Sequence, residues 1–352
     1  MTQLDELLNT RVLAEEIENK FVRAQYHPIL PYVIYSYTEK AQANAAWTEV
    51  TRQCRGLVAD FEGRVIARPF PKFFNYGEQK RLQHWTSDEP VTVTDKVDGS
   101  LGIVYTDRDG LPQVATRGSF TSEQAAHATH TLRAKYPDWR PPTGFTVLVE
   151  IVYPENRIVV DYGATDDLVL LGCVDIHNGC THGPGWLTDW PGPRAEVFPY
   201  RSLPGALAAK DRPGREGMVV HFLVSDDRVK IKQDNYVALH RIVTGLNEQV
   251  VWEHLTEHGN VDELVKGLPE EFEPWVRDVA DRLATEFEQM ETVAAQRFRA
   301  ERKRFAFEIK DEPDWLKACL FKQLDAKDYA ELIWKQLKPK ADTPPHKQKE
   351  NA

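Results

Sequence analysis

Lys96-Val97-Asp98-Gly99-Ser100-Leu101 sets a primary amine and a carboxylate at a tight turn. It follows Val91-Thr92-Val93-Thr94-Asp95, whose alternation of apolar and polar side chains predicts a half-buried strand. A lysine at a strand end, before an Asp-Gly turn, is placed to offer its amine to a ligand. Amines attack only when neutral, and desolvation or nearby cations lower their pKa. A second alternating run, Val229-Lys230-Ile231-Lys232, supplies such cations. Residues two apart on a strand share a face, so Lys230 and Lys232 point one way and Ile231 the other. The chemistry on offer is covalent attack by Lys96 beside two fixed positive charges. Asp-Gly turns and surface lysines are common, so the short pattern is unspecific by itself.

These groups need sheets to hold them. From Ile29 to about Leu239 the chain shows short apolar and alternating runs between Gly, Pro and Asp turns. Predicted strands include 56–61, 101–105, 114–116, 145–152, 168–174 and 218–224, with a helix over 121–135. This is an α+β pattern with antiparallel sheets. Residues 191–213 read as an irregular excursion with one short helix, and residues 3–24 as an amphipathic helix. After Arg241 helical spacing takes over, in 248–258, 274–290, 291–310 and 314–338. Trp275, Val279, Leu283 and Phe287 form one apolar stripe. The expected organisation is therefore 1–241, an all-helical 242–338, and a disordered tail, 339–352.

The chain has 352 residues, a net charge of −10 and 41% apolar residues. It is long enough for two domains. No apolar run reaches the roughly 20 residues of a membrane span, and the acidic, mixed start is not a secretory signal. Scattered Cys54, Cys173, Cys180 and Cys319, without CxxC pairs, suggest reduced thiols in a cytoplasmic setting. His177, Cys180 and His182 read as a polar loop rather than a zinc site, since no second ligand pair follows. The acidic balance argues against a general nucleic-acid coat. A local basic patch, Arg297, Arg299, Arg302, Lys303 and Arg304, is a candidate contact for RNA phosphates. Neither a P-loop nor a strand-linked GxGxxG is present, so a nucleotide needs another holding device.

Seven blocks occur in order. They are Cys54-Arg55-Gly56-Leu57, Pro71 to Glu78, Lys96-Val97-Asp98-Gly99, Phe145 to Glu150, Pro154 to Val159, Glu216-Gly217, and Lys230-Ile231-Lys232 extended to His240. Over residues 30–241 this series resembles the covalent nucleotidyltransferases, and within them the RNA ligase 1 family, typified by the tRNA-repair ligase of T-even phages. The resemblance implies a nucleotidyltransferase domain and an ATP-dependent ligase that joins RNA 3′-OH and 5′-phosphate ends through lysyl-AMP and adenylated RNA. It implies Mg²⁺ or Mn²⁺ as a cofactor, RNA (broken tRNA among the candidates) as partner, no membrane association, and a monomer.

The resemblance also assigns roles. Lys96 is the nucleophile, and Lys230 and Lys232 lower its pKa and hold the α-phosphate. Arg55 and Lys72 touch ATP phosphates, and Glu150 serves the ribose and metal shell. Glu216 serves the metal; Asp98 orients the nucleophile or meets the metal through water. Gly99 supplies backbone that a side chain would obstruct. Phe74 packs near the nucleotide or in the core, and Arg117 fills a basic position, a candidate contact for RNA. Many family members carry an acidic residue after the nucleophile, where this chain has Val97. The alternatives are a DNA ligase or capping-type enzyme, which the helical sequence after Arg241 disfavours, and a catalytically silent RNA-end sensor.

Overall fold

The structure is a computed structural model that describes residues 2–233, 236, 245–266, 268, 272–298 and 309–339. The chain divides into two compact units, Met1–Ala238 and Leu239–Ala352.

Three sheets build the first unit. Strands β1 (Val22–Tyr26), β2 (Tyr32–Tyr37), β3 (Arg55–Asp60) and β4 (Val65–Ala67) form an antiparallel meander in that order. Helices α1 (Leu4–Leu7) and α2 (Thr10–Glu18) cover it, burying Leu4, Leu8 and Leu13 against Val33, Leu57 and Val65. The single helix expected over 3–24 is thus broken twice. Asn9 accepts hydrogen bonds from the Arg11 and Val12 amides and starts a new helix. Beyond Lys20, which has φ +61°, Val22–Tyr26 pairs with β2 instead of continuing the helix. Two short helices, α3 (Glu39–Ala43) and α4 (Glu49–Gln53), connect β2 to β3.

The third sheet has the order β12-β6-β13-β14-β5. It contains β5 (Phe74–Asn75), β6 (Val91–Asp95), β12 (Val197–Phe198), β13 (Gly217–Phe222) and β14 (Arg228–Lys232), all antiparallel neighbours except β14 and β5. The second sheet, β11-β10-β9-β7-β8, contains β7 (Ser100–Thr106), β8 (Pro112–Thr116), β9 (Phe145–Val152), β10 (Asp167–Asp175) and β11 (Thr181–His182). Helix α5 (Glu123–Lys135), capped by Ser122, covers one face. Val147, Val149 and Ile151 pack in that cluster, while Leu148 joins another with Ile34, Val58 and Phe70. Burial on both faces is the reason the Phe145–Val152 run lacks alternation. On the third sheet, Val91, Val93, Val220, Phe222 and Val229 bury their side chains with Leu203 and Ala206 of α6 (Leu203–Leu207). The opposite face of β6, β13 and β14 is left for chemistry.

In the second unit every regular element among the described residues is a helix: Glu248–His258, Asp262–Lys266, Glu273–Arg297, Asp314–Leu324 and Ala330–Leu337. Val276, Val279 and Leu283 are buried along one stripe, flanked by partly buried Trp275 and Phe287. Two boundaries differ from expectation. Residues 273–297 form one helix, since neither Gly nor Pro interrupts it after Pro274. The segment 314–338 is two helices, separated near Ala326, whose φ is +54°. The tail beyond residue 339 lies outside the described residues.

Candidate active site

Strand register places the reactive residues in rows. Val219 is paired with Thr94 on one side and Lys230 on the other, and His221 with Thr92 and Arg228. At the opposite end Gly217 pairs with Lys232, and the Lys96 amide donates to the Gly217 carbonyl. Positions 92, 94 and 96, like 217, 219 and 221, share the face away from the packed core. This face is the floor of a cavity of ≈ 230 Å³. Arg55, Phe70, Phe73, Gly99, Leu101 and Glu150 contribute to its other walls.

Glu216 organises the reactive end. It is only 3% exposed, and its carboxylate binds the Lys96 ammonium through Oε2 and the Lys232 ammonium through Oε1, the latter at 3.1 Å. The strand-end lysine of the sequence pattern is therefore held by an acid, with Lys232 on the same carboxylate and Lys230 close enough to feel its charge. Lys230 is the group the structure perturbs. Burial pushes its pKa well below the lysine range, with Arg55, Lys72, Lys96 and Lys232 adding repulsion. No ion pair to Lys230 occurs among the described residues, and its Nζ lies 5.0 Å from the Phe73 ring centroid. Arg55 donates to the Phe70 carbonyl at 3.3 Å and also lies over Phe73, at 5.2 Å. Burial lowers its pKa too. Two half-buried cations on one wall, without salt-bridge partners among the described residues, suit an anionic ligand.

Glu150 is the counterpart. Burial raises its pKa from 4.5 to about 7, against attraction to Lys96 and Arg55 and with added repulsion from Glu216 and Asp98. No salt bridge to Glu150 exists among the described residues, and its side chain lines the cavity. No three His, Cys, Asp or Glu side chains gather as a ready metal cage among those residues. Mg²⁺ commonly uses one or two carboxylates together with substrate phosphate oxygens. Glu150 and Glu216 fit that demand. Gly99 matches its expectation through space: a Cβ there would lie 2.5 Å from the Ile151 carbonyl oxygen and 3.1 Å from Glu150 Cγ.

Other predicted residues sit elsewhere. Asp98 is 4% exposed, and both of its carboxylate oxygens accept hydrogen bonds. Oδ2 accepts from the Val159 and Val160 amides, each at 2.9 Å, and Oδ1 accepts from the Tyr236 hydroxyl at 2.8 Å. It ties the nucleophile loop to the Pro154–Val160 segment and stands outside the lining of the cavity that holds Lys96, so the structure shows Asp98 in a positioning contact rather than at the expected nucleotide or metal site. Lys72 is also moved. Its ammonium lies 4.9 to 5.5 Å from the ring centroids of Trp47, Tyr37 and Phe74, outside the cavity lining. Phe74 belongs to that aromatic core, and Phe73 is the ring that faces the cavity. Arg117 donates to the Tyr37 carbonyl at 3.1 Å and covers its ring. Val97 is buried with Val152 and Ala195, which explains an apolar residue after the lysine. Arg297 pairs with Glu312 at 3.4 Å; Arg299, Arg302, Lys303 and Arg304 lie outside the described residues.

Sequence reasoning missed Phe70, Phe73, His221, Arg228 and the Tyr236 hydroxyl. For His221 and Arg228 the signal was present: they continue the same alternation as Val219 and Lys230.

Residues 53–184 match the family model described as RNA ligase. RNA ligase 1 of bacteriophage TS2126 is 31% identical over 196 residues, 48% of this chain and 47% of the phage protein. The chain spans less than half the length of the curated relatives it matches. Among solved structures, a candidate ATP-dependent DNA ligase from Aquifex aeolicus superposes with TM-score 0.49 at 17% identity, covering 81% of each chain. An archaeal ATP-dependent RNA ligase gives TM-score 0.45 at 14% identity, covering 85% of this chain and 84% of the other.

Proposed function

We propose that this protein is an ATP-dependent RNA ligase that works through a lysyl-AMP intermediate. The observation that carries the proposal is Lys96: a strand-end amine held by Glu216 in a cavity walled by the cations Arg55 and Lys230. The family match over residues 53–184 supports it.

In the first step the Lys96 amine, freed from Glu216 and without its proton, attacks the α-phosphorus of ATP. A nitrogen–phosphorus bond forms, the bond to the bridging oxygen breaks, and pyrophosphate leaves. Lys230 and Arg55 face the charge that develops on the phosphate oxygens, the form of stabilisation that dominates phosphoryl transfer. Glu216 and Glu150 would hold Mg²⁺ or Mn²⁺, which neutralises phosphate charge when bound. In the second step a 5′-phosphate oxygen of RNA takes the adenylyl group from Lys96. In the third, an RNA 3′-hydroxyl attacks the activated 5′-phosphorus and AMP departs.

The cation-rich wall supports this reading over a silent sensor, which has no use for a nucleophilic amine. RNA with 5′-phosphate and 3′-OH ends is the proposed substrate, a tRNA cut in its anticodon loop being one such molecule. The helices after residue 241 are proposed to hold it. The test is to incubate the full chain with ATP, Mg²⁺ or Mn²⁺, and 5′-phosphorylated single-stranded RNA or DNA of equal length. Joined or circularised RNA supports the proposal. Sealing of DNA alone, or adenylylation of the protein without any sealing, contradicts it.

A further inference from the structure

At the end of the floor away from Lys96 stands a second polar group that the chemistry above does not use. Thr92, His221 and Arg228 form one row across β6, β13 and β14. Thr92 and Lys96 are four residues apart on an extended chain, a separation of about 13 Å. That is about the length of a nucleoside monophosphate laid along the strands. Between the two ends lies Val219, with Leu101 and Leu171 lining the cavity from the second sheet. A phosphate at Lys96 and a planar base over Val219 would bring the outer edge of the base to His221.

The His221 ring is fixed. Its Nε2 lies 2.6 Å from Asp226 Oδ1. Asp226 also accepts from the Thr181 hydroxyl and, at 3.0 Å, from the Thr181 amide. Arg228 donates to the Thr181 hydroxyl at 2.5 Å and lies 4.0 Å from the Phe70 ring centroid. Its donors are thus directed at the network. A carboxylate oxygen facing Nε2 requires a hydrogen on that nitrogen. Burial lowers the His221 pKa below its usual 6.5, which favours the neutral ring. Nδ1 is then a lone-pair acceptor, and it has no hydrogen-bond partner among the described residues.

We propose that His221 reads the nucleobase: its Nδ1, set by the Asp226–Thr181–Arg228 network, accepts a hydrogen bond from the 6-amino group of adenine and opposes the 6-oxo group of guanine. The proposal rests on the ligase reading and adds to it a residue that sets nucleotide choice. A donor and an acceptor exchange places between these two purines, so one fixed acceptor separates them. Asp226 is a positioning residue in this scheme, since it acts only through the ring.

The experiment compares initial rates of covalent labelling of the full chain by ATP, GTP and purine riboside triphosphate, which lacks the 6-amino group. The wild-type protein is expected to prefer ATP over purine riboside triphosphate by at least about 10-fold, the worth of one hydrogen bond between buried partners. It should discriminate more strongly still against GTP. In His221→Leu the ratio of ATP to purine riboside triphosphate should fall to about one. Equal rates with these two nucleotides in the wild-type protein would overturn the proposal without any variant. So would an unchanged ratio in His221→Leu. Labelling by none of the three would instead overturn the ligase reading beneath it.

Discussion

Glu150 offers a prediction with a defined magnitude. Its carboxyl retains a proton to about pH 7 in the folded chain, against 4.5 for an ordinary glutamate. The folded state therefore binds more protons than the unfolded state across this interval, and stability falls as pH rises through it. Below 4.5 both states are protonated and the group costs nothing; above 7 the penalty is complete. A rise from 4.5 to about 7, at 1.36 kcal/mol per pH unit, is a penalty of about 3 kcal/mol. Glu150→Gln keeps the shape of the protonated acid and removes the penalty. Urea unfolding at about pH 8 should show the variant more stable by about 3 kcal/mol, and unfolding at about pH 4.5 should show little difference. At the higher pH, millimolar Mg²⁺ or Mn²⁺ should stabilise the parent more than the variant, because the cation neutralises the buried charge. Equal stability differences at both pH values would refute the reasoning, as would a variant less stable at the higher pH. The same substitution should slow lysine labelling, a trade of activity against stability expected at a binding site.

Three further outcomes follow from the same geometry. Lys230→Ala should not lower the melting temperature, since the cost of a buried, repelled cation is lost, yet it should slow labelling by roughly 100-fold; a fall in melting temperature with labelling intact would contradict this. Asp98→Ala strands the Val159 and Val160 amides and should cost about 2–4 kcal/mol by denaturant unfolding, while Tyr236→Phe removes only a hydroxyl and should cost about 1 kcal/mol; equal costs would reject the clamp. Gly99→Ala drives a Cβ to 2.5 Å from the Ile151 carbonyl oxygen, so it should destabilise by about 1–3 kcal/mol and reduce labelling; a crystal structure of the G99A variant with the new methyl accommodated and Lys96 and Glu216 unmoved would contradict the prediction.

Much of the site was legible because strands convert sequence parity into position. The alternation in Val229–Lys232 put Lys230 and Lys232 on one face, and the alternation in Val91–Asp95 put Lys96 at the end of a strand; the register pairs Lys230 with Val219 and Lys232 with Gly217. The isolated carboxylate in the apolar run Phe145–Val152 pointed to Glu150 because burying an unpaired charge is costly. What was hidden depended on contacts between distant segments. Asp98 looked like a turn residue until the fold brought the Val159 amide and the Tyr236 hydroxyl to it. Lys72 carries a charge suited to phosphate, but Tyr37, Trp47 and Phe74 close around it from other elements. The alternation reached His221 and Arg228, but their network also needs Thr181 and Asp226, which no local pattern joins to them. Helix boundaries failed where a local cap or a positive φ overrode periodicity, at Asn9 and Ala326.

The central claim is that Lys96 becomes covalently adenylylated. Intact-mass measurement of the full chain after incubation with ATP and Mg²⁺ or Mn²⁺, first cleared of carried-over adenylate with pyrophosphate, tests it directly, with peptide mapping to locate the adduct. The expected result is a gain of one AMP, mapped to Lys96 and absent in Lys96→Ala. An adduct on another residue, or a parent protein that gains no mass, would contradict the claim.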